Sequence, residues 1–294
     1  MRTTGTGVQA ALEKILFATD FSPGAEKAGK FLTGVAKHAS ASVVILHVLD
    51  SSAVLRVTDA QLSYGTPRQD AEVRLTTEAE QLKAEQIQVE AVLSAGAKPT
   101  DSILAIAREK SADLIVIGTR GLGALGRLTL GSVAQQLIHE AECPVLIVGP
   151  RVKTPHSAHK FQRVVCATDF SEDATAAVEF AFAFTQTYSA HMYLCHVLPR
   201  PDGSDPLDTQ ELNENFKAEL QRLIPGMARE WCDPECVLDH GYAVDGILLL
   251  ANRVKADLIV LGTRRFSHWF ANIRAGIAYE VIRKAECPVL TVRK

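Results

Sequence analysis

The sequence predicts an α/β protein made of two tandem doubly wound domains, each with a five-stranded parallel sheet in the strand order 3-2-1-4-5. The first observation is a repeat. Ile15-Leu-Phe-Ala-Thr-Asp-Phe-Ser22 returns as Val164-Val-Cys-Ala-Thr-Asp-Phe-Ser171, and Ile45-Leu-His-Val-Leu49 returns within Tyr193–Leu198, both 149 residues on. Ala112-Asp-Leu-Ile-Val-Ile-Gly-Thr-Arg120 and Ala141-Glu-Cys-Pro-Val-Leu146 return as Ala256–Arg264 and Ala285–Leu290, now 144 residues on. Four matches in one order mean duplication, with the second copy five residues shorter between His47 and Ala112. The second observation is alternation within each copy: short apolar or β-branched runs bounded by turn residues are followed by longer stretches of helical period, the signature of βαβ units. The third is size. At 294 residues, 47% hydrophobic and 22% charged, each half is long enough to bury its own core.

In the first copy, strands are expected near 14–19, 42–49, 88–94, 113–117 and 144–149, with helices between them. Ser22 and Pro23 read as N-cap and N1 of a helix running to about Ala39, because a hydroxyl can accept a first-turn N–H and proline has none to satisfy. Thr100 or Asp101 starts the helix that precedes Asp113. Pro150–His159, with two prolines among polar residues, is the linker, so the domains are 1–150 and 160–294. The second copy has its strands near 162–168, 191–198, 235–239, 257–261 and 288–293, and Pro225-Gly226 interrupts its long second helix.

Composition excludes several classes. A formal charge of -3 gives no electrostatic footprint for nucleic acid or an anionic membrane surface. Apolar runs such as Leu114–Ile117 and Leu258–Leu261 are too short to cross a bilayer. Met1–Lys14 lacks the apolar segment and cleavage pattern of a signal peptide, so a cytoplasmic protein is expected. The six cysteines are sparse and mostly sit in apolar runs, which suits reduced, buried thiols.

The chemistry concentrates after the fourth strand, in Gly118-Thr-Arg-Gly121-Leu-Gly-Ala-Leu-Gly-Arg-Leu-Thr-Leu-Gly131-Ser132. Glycines let backbone N–H groups turn toward an anion, and Gly131-Ser132 falls where a helix starts, whose free N–H groups and positive dipole end favour phosphate. A flexible crossover with glycines at its turns is the alternative. Asp20 ends the first strand. In the order 3-2-1-4-5 the first and fourth strands are neighbours at the switch point, where ligands of open α/β sheets bind. A carboxylate there accepts hydrogen bonds from ribose hydroxyls, so the expected ligand is a nucleotide, sugar at Asp20 and phosphates at Gly121–Ser132. Asp20 as a helix cap is the competing reading. Arg120 and Arg127 either neutralise phosphate or face solvent.

The spacing Gly118-x2-Gly121-x9-Gly131-Ser132, the Thr-Asp-Phe-Ser opening and the terminal Cys-Pro-Val-Leu strand together resemble the universal stress protein family, specifically its ATP-binding branch, over essentially the whole chain. The resemblance implies a Rossmann-like fold of the adenine nucleotide α-hydrolase type, with ATP and Mg²⁺ as the bound group. It implies that Asp20 meets the ribose, that the backbones of Ala18 and Val48 meet adenine, and that Gly118, Gly121, Gly131, Ser132 and Val133 hold the phosphates. Relatives can carry proline at the Ala18 position, which supplies only backbone.

The second copy departs from the pattern. Gly118 becomes Gly262, but Gly121 becomes Arg265, Gly131 becomes Ala275 and Ser132 becomes Gly276, and Phe266–Phe270 is bulky and aromatic. Only the first domain is therefore expected to bind ATP tightly, while Trp269 and Phe270 either plug the second site or form a contact surface. Cys232-x3-Cys236-x3-His240 has metal-ligand residues without the paired spacing of a zinc site. His47 and His196 share one strand position and read as structural. No Gly-x4-Gly-Lys-Ser/Thr is present, no nucleophile and base pair can be named, and no metal or catalytic residue is assigned. The function expected is nucleotide-dependent regulation or sensing in the stress response, with a slow ATP hydrolase or a nucleotide-free scaffold as alternatives. The terminal strands are sheet edges, which family members commonly pair, so an intrachain pseudo-dimer is implied, and a further homodimer stays open.

Overall fold

The computed structural model describes residues 12–50, 66–96, 98–119, 130–155, 160–199, 206–232, 234–263 and 276–294. They divide into two compact units, one carried by the chain up to Pro150 and the other by Lys160–Lys294.

The first unit runs β1 (Lys14–Ala18), α1 (Pro23–Ala39), β2 (Ser42–Asp50), α2 (Pro67–Ala84), β3 (Val89–Gly96), α3 (Pro99–Glu109), β4 (Leu114–Gly118), α4 (Ser132–Glu140) and β5 (Val145–Val148). Its strands are all parallel in the order β3-β2-β1-β4-β5, as the sequence predicts. β1 is central because it is apolar on both faces: Ile15 and Leu16 are fully buried, as are Leu114 and Ile115 on neighbouring β4. Ala18 pairs with Leu46 and Ile117, and β2 continues to Asp50 beyond that last pair. Val48 thus lies on the part of β2 that outruns β1.

Ser22 caps α1 by accepting the Ala25 N–H at 3.3 Å, with Pro23 at N1, and the helix ends at Ser40 in the left-handed region, φ 54°. Thr66 and Gln69 form a reciprocal capping box on α2, whose Ala71, Leu75, Ala79 and Leu82 make its buried stripe. α3 starts at Pro99, slightly before the expected Thr100 or Asp101, because proline's fixed φ supplies the first helical residue while Lys98 makes no side-chain cap. At the opposite end of the sheet Asp113 Oδ2 accepts the N–H groups of Glu13 and Lys14, both at 2.9 Å, which ties the entry of β1 to the entry of β4.

The second unit repeats the plan: β6 (Arg163–Ala167), α5 (Glu172–Tyr188), β7 (His191–Leu198), α6 (Pro206–Arg222), α7 (Ala228–Trp231), β8 (Glu235–His240), α8 (Ala243–Val254), β9 (Leu258–Gly262), α9 (Ile277–Lys284) and β10 (Val289–Val292). Its parallel order is β8-β7-β6-β9-β10. Asp257 repeats the Asp113 bracket on Gln162 and Arg163. The helix after β7 does break at Pro225-Gly226, giving α6 and the single turn α7. All six cysteines are free thiols. Among the described residues no helix is long and apolar enough to cross a membrane.

Candidate functional site

The carboxyl ends of β1 and β4 lie side by side, and the turn leaving β1 is built around Thr19. Thr19 is 4% exposed. Its N–H donates to Leu46 O at 2.9 Å, its carbonyl accepts from His47 Nδ1 at 2.8 Å, and its hydroxyl accepts the Phe21 N–H at 3.1 Å. A carbonyl acceptor requires the proton on Nδ1, so His47 is a structural histidine with a fixed tautomer. Phe21 is held in the left-handed region, φ 58°, with its ring stacked on His47 at 4.4 Å between centroids. The Arg74 guanidinium covers the Phe21 ring at 4.5 Å while Nη2 donates to Phe21 O at 3.0 Å.

This clamp presents Asp20 exposed at the end of the first strand, where Oδ1 accepts the Ser22 N–H at 3.0 Å. The cap of α1 is Ser22. Asp20 braces the turn two residues earlier, as aspartate does in an Asx turn. Behind Thr19, Glu78 Oε1 accepts the Thr19 hydroxyl at a long 3.5 Å. Burial is the main cause pushing the Glu78 carboxyl up from its ordinary range, with Glu26 and Asp20 adding to it while Thr19 and Arg74 oppose it.

The glycines fall into two kinds. A Cβ on Gly118 would stand 2.2 Å from Gly24 O and 2.7 Å from Ala25 N, so glycine is needed there for β4 to pass the start of α1. Gly131 is different. It is the N-cap of α4 with an unremarkable φ of -62°, and among the described residues a Cβ there would meet nothing within 4 Å. Neither backbone strain nor packing against those residues demands glycine at this place. Among the described residues α4 has no side-chain cap, and its first turn opens with exposed Ser132 and half-buried Val133. Because α4 links the carboxyl end of β4 to the start of β5, its N-terminus lies at the same end of the sheet as Asp20. Ala18 and Val48 are half-buried beside the crevice. Gly121, Arg120 and Arg127 lie outside the described residues. Sequence reasoning missed Thr19, Phe21, Gly24, Arg74 and Glu78. The Thr-Asp-Phe triplet shared by both copies was the available signal for the first two.

A model of the universal stress protein family matches residues 11–149 and again 160–293. The chain belongs to the universal stress protein family. A universal stress protein of Mycolicibacterium smegmatis is 27% identical over 186 residues, a match spanning 63% of this chain and 63% of that protein's length. One from Thermus aquaticus is 37% identical over 141 residues, 46% of this chain and 96% of the relative. The crystal structure of a universal stress protein from Archaeoglobus fulgidus superposes with a TM-score of 0.75 at 22% identity, covering 97% of this chain and 98% of that one, a likeness of fold.

The second universal stress protein domain repeats the turn but not its polar backing. His196 Nδ1 donates to Thr168 O at 2.7 Å, and Phe170 adopts φ 61°. Here Phe216 of α6 stacks on His196 at 5.1 Å, so an aromatic ring covers the turn as Arg74 does in the first domain. Gly262 is kept for the same reason as Gly118, since a Cβ would stand 2.6 Å from Ala174 N. A cavity of about 120 Å³ lies between Asp169, His196, Ile247 and Ile277. Arg265, Trp269, Phe270 and Ala275 lie outside the described residues, and Gly276 is the N-cap of α9. Cys236 and His240 stand at β8 positions about 13 Å apart along the strand, too far for one metal ion, and Cys232 Sγ donates to Ala190 O at 3.7 Å.

Proposed function

We propose that the first domain binds ATP and that occupancy of this site lets the protein regulate or sense in the stress response. The observation that carries the proposal is the start of α4: among the described residues, a helix N-terminus without a side-chain cap, headed by a glycine that neither its backbone nor its packing against those residues requires. Such an end favours phosphate through its free amides and dipole, and leaving out a Cβ keeps the backbone approachable. In this reading Gly131, Ser132 and Val133 grip phosphates together with Gly121. Asp20 accepts from the ribose hydroxyls, and the backbones of Ala18 and Val48 face adenine, Val48 being outside the β1–β2 pairing. Gly118 contributes by shaping the crevice. Among the described residues no group of three or more His, Cys, Asp or Glu could hold a metal ion, so Mg²⁺ would ride on the triphosphate, whose charge it neutralises.

The second domain is a degenerate partner. Its loop has lost two of three cradle glycines, with Arg265 and Ala275 in their places. Two family domains in one chain support an intrachain pseudo-dimer. We assign binding rather than turnover, since among the described residues the groups at the crevice are an aspartate braced by its own turn and a histidine whose Nδ1–H is committed to a carbonyl.

The test is the nucleotide content of protein purified without added nucleotide, followed by titration with Mg-ATP. ATP released on denaturation, and its absence from a Gly121→Arg protein, is expected. A full-length protein that neither retains nor takes up ATP overturns the reading, and multiple turnover abolished by Gly121→Arg would make it an enzyme.

A further inference from the structure

The turn that carries Asp20 is backed by a charged pair that the second domain does without. Glu78 lies behind Thr19, its Oε1 accepting the Thr19 hydroxyl at a long 3.5 Å and its Oε2 buried with no hydrogen-bond partner among the described residues. Arg74 stands one turn earlier on α2, at the i,i+4 spacing that lets an arginine and a glutamate pair. Its guanidinium is engaged elsewhere: it covers the Phe21 ring at 4.5 Å, and Nη2 donates to Phe21 O at 3.0 Å. In the second domain Phe216 covers the turn, and four residues on Leu220 is completely buried. An apolar pair at the same spacing thus serves where the glycine loop has degenerated. Folding the turn does not require charge, and a half-buried carboxylate is unfavourable by itself. The polar pair of the first domain therefore points to the ligand side of the turn.

The charge on Glu78 decides what Arg74 does. A neutral Glu78 leaves the guanidinium on Phe21, which stays in the left-handed region at φ 58° and keeps the turn that presents Asp20. An ionised Glu78 competes for Arg74 against the neutral Phe21 carbonyl, and a hydrogen bond to a charged acceptor is roughly twice as strong. It also puts a second negative charge behind Asp20, against a ligand that is itself an anion. Burial is the largest influence on the Glu78 carboxyl and pushes it up, with Glu26 of α1 and Asp20 adding as like charges while Thr19 and Arg74 oppose. Lys30 of α1 and Glu85 of α2 line the groove beside it, Lys30 exposed and Glu85 bonded to Lys37 at 2.7 Å. His47 of β2 stacks on Phe21 with Nδ1 committed to Thr19 O.

We propose that a proton on Glu78 regulates the nucleotide site: ATP binds more tightly when Glu78 is neutral and Arg74 clamps Phe21, and more weakly when Glu78 is ionised and draws Arg74 away. The proposal rests on the ATP reading of the first domain. Arg74 and Glu78 are positioning residues that act through the Asp20 turn. By linkage, bound ATP favours the proton on Glu78 by the same factor.

The experiment has two arms on the full-length protein, from about pH 4.5 to about pH 8. Without nucleotide, NMR follows the Arg74 side-chain protons, whose shift reports the Phe21 ring. That displacement should shrink as pH rises and hold constant in Glu78→Gln, which keeps the shape and cannot ionise. With Mg-ATP, affinities of the native and Glu78→Gln proteins are taken as a ratio, in which titration of the ligand and of groups common to both proteins cancels. The ratio should be near one at the acid end and reach about three- to tenfold in favour of Glu78→Gln at the alkaline end, the effect of one partly screened charge. Glu72→Gln, at an exposed acid of α2 bonded to Arg68, should track the native protein. A ratio that stays constant with pH, or an Arg74 shift that does not titrate, overturns the proposal. An Arg74 shift that titrates in a protein binding no ATP at any pH overturns the nucleotide reading, and the regulation with it.

Discussion

Gly118 and Gly131 belong to one motif but do different work, and alanine separates them. At Gly118 the new Cβ would stand 2.2 Å from Gly24 O and 2.3 Å from Gly24 C, both backbone atoms at the entry of α1. That is about 1 Å inside any sustainable contact, so β4 and α1 must move apart, and overpacking of this kind destabilises by about 1–3 kcal/mol. For a domain of this size the loss corresponds to a fall in melting temperature of about 3–10 °C. At Gly131 the Cβ meets no atom of the described residues and φ is -62°, so only the small difference between glycine and alanine at an N-cap remains, below about 1 kcal/mol. The paired measurement is scanning calorimetry of both variants without ligand, then ATP titration of the folded proteins. Gly118→Ala should melt early, whereas Gly131→Ala should melt near the parent and bind ATP at least about tenfold more weakly. If Gly118→Ala melts like the parent yet loses ATP, the division of labour between the two glycines is wrong.

Other outcomes follow from the same geometry. Asp113→Ala leaves the N–H groups of Glu13 and Lys14 without their shared acceptor and should destabilise the first domain by about 1.5–3 kcal/mol in urea unfolding, with Asp113→Asn losing less. Asp20→Asn keeps an acceptor for the Ser22 N–H but loses the charge offered to a sugar, so ATP affinity should fall while stability stays within about 0.5 kcal/mol. Because burial raises the Glu78 carboxyl, the folded state holds its proton to higher pH than the unfolded chain. The stability tied to that proton is complete below the ordinary value of 4.5 and is lost as pH rises through the raised one. Glu78→Gln cannot ionise, so its melting temperature should exceed the parent's near pH 7 and converge with it below about pH 4.5. A constant difference across that range would remove Glu78 as the cause.

Much of this was legible in residue order. The strands announced themselves because a parallel sheet covered on both faces needs unbroken apolar runs, and Leu114–Ile117 or Leu258–Leu261 can be little else. The doubly wound parallel sheet came with the βαβ alternation. Asp20 at the switch point was legible for the same reason, as was the structural character of His47. What stayed hidden depended on partners remote in sequence. Gly118 reads as a ligand glycine until Gly24, 94 residues earlier, is seen against it. The second domain makes the point again, for it keeps Gly262 after losing Gly121 and Gly131 because Ala174 presses on the same place. Arg74 and Glu78 were equally opaque, since charged residues on a helix read as a solvated face, and only folding shows one covering Phe21 and the other half-buried beneath Thr19.

The number of ATP molecules held per chain at saturation, by equilibrium dialysis with Mg²⁺ on full-length protein, bears most directly on the whole account. One per chain, falling to none in Gly131→Arg while Gly276→Arg in the second domain changes nothing, is the predicted result. Two per chain, or one that survives Gly131→Arg, would contradict it.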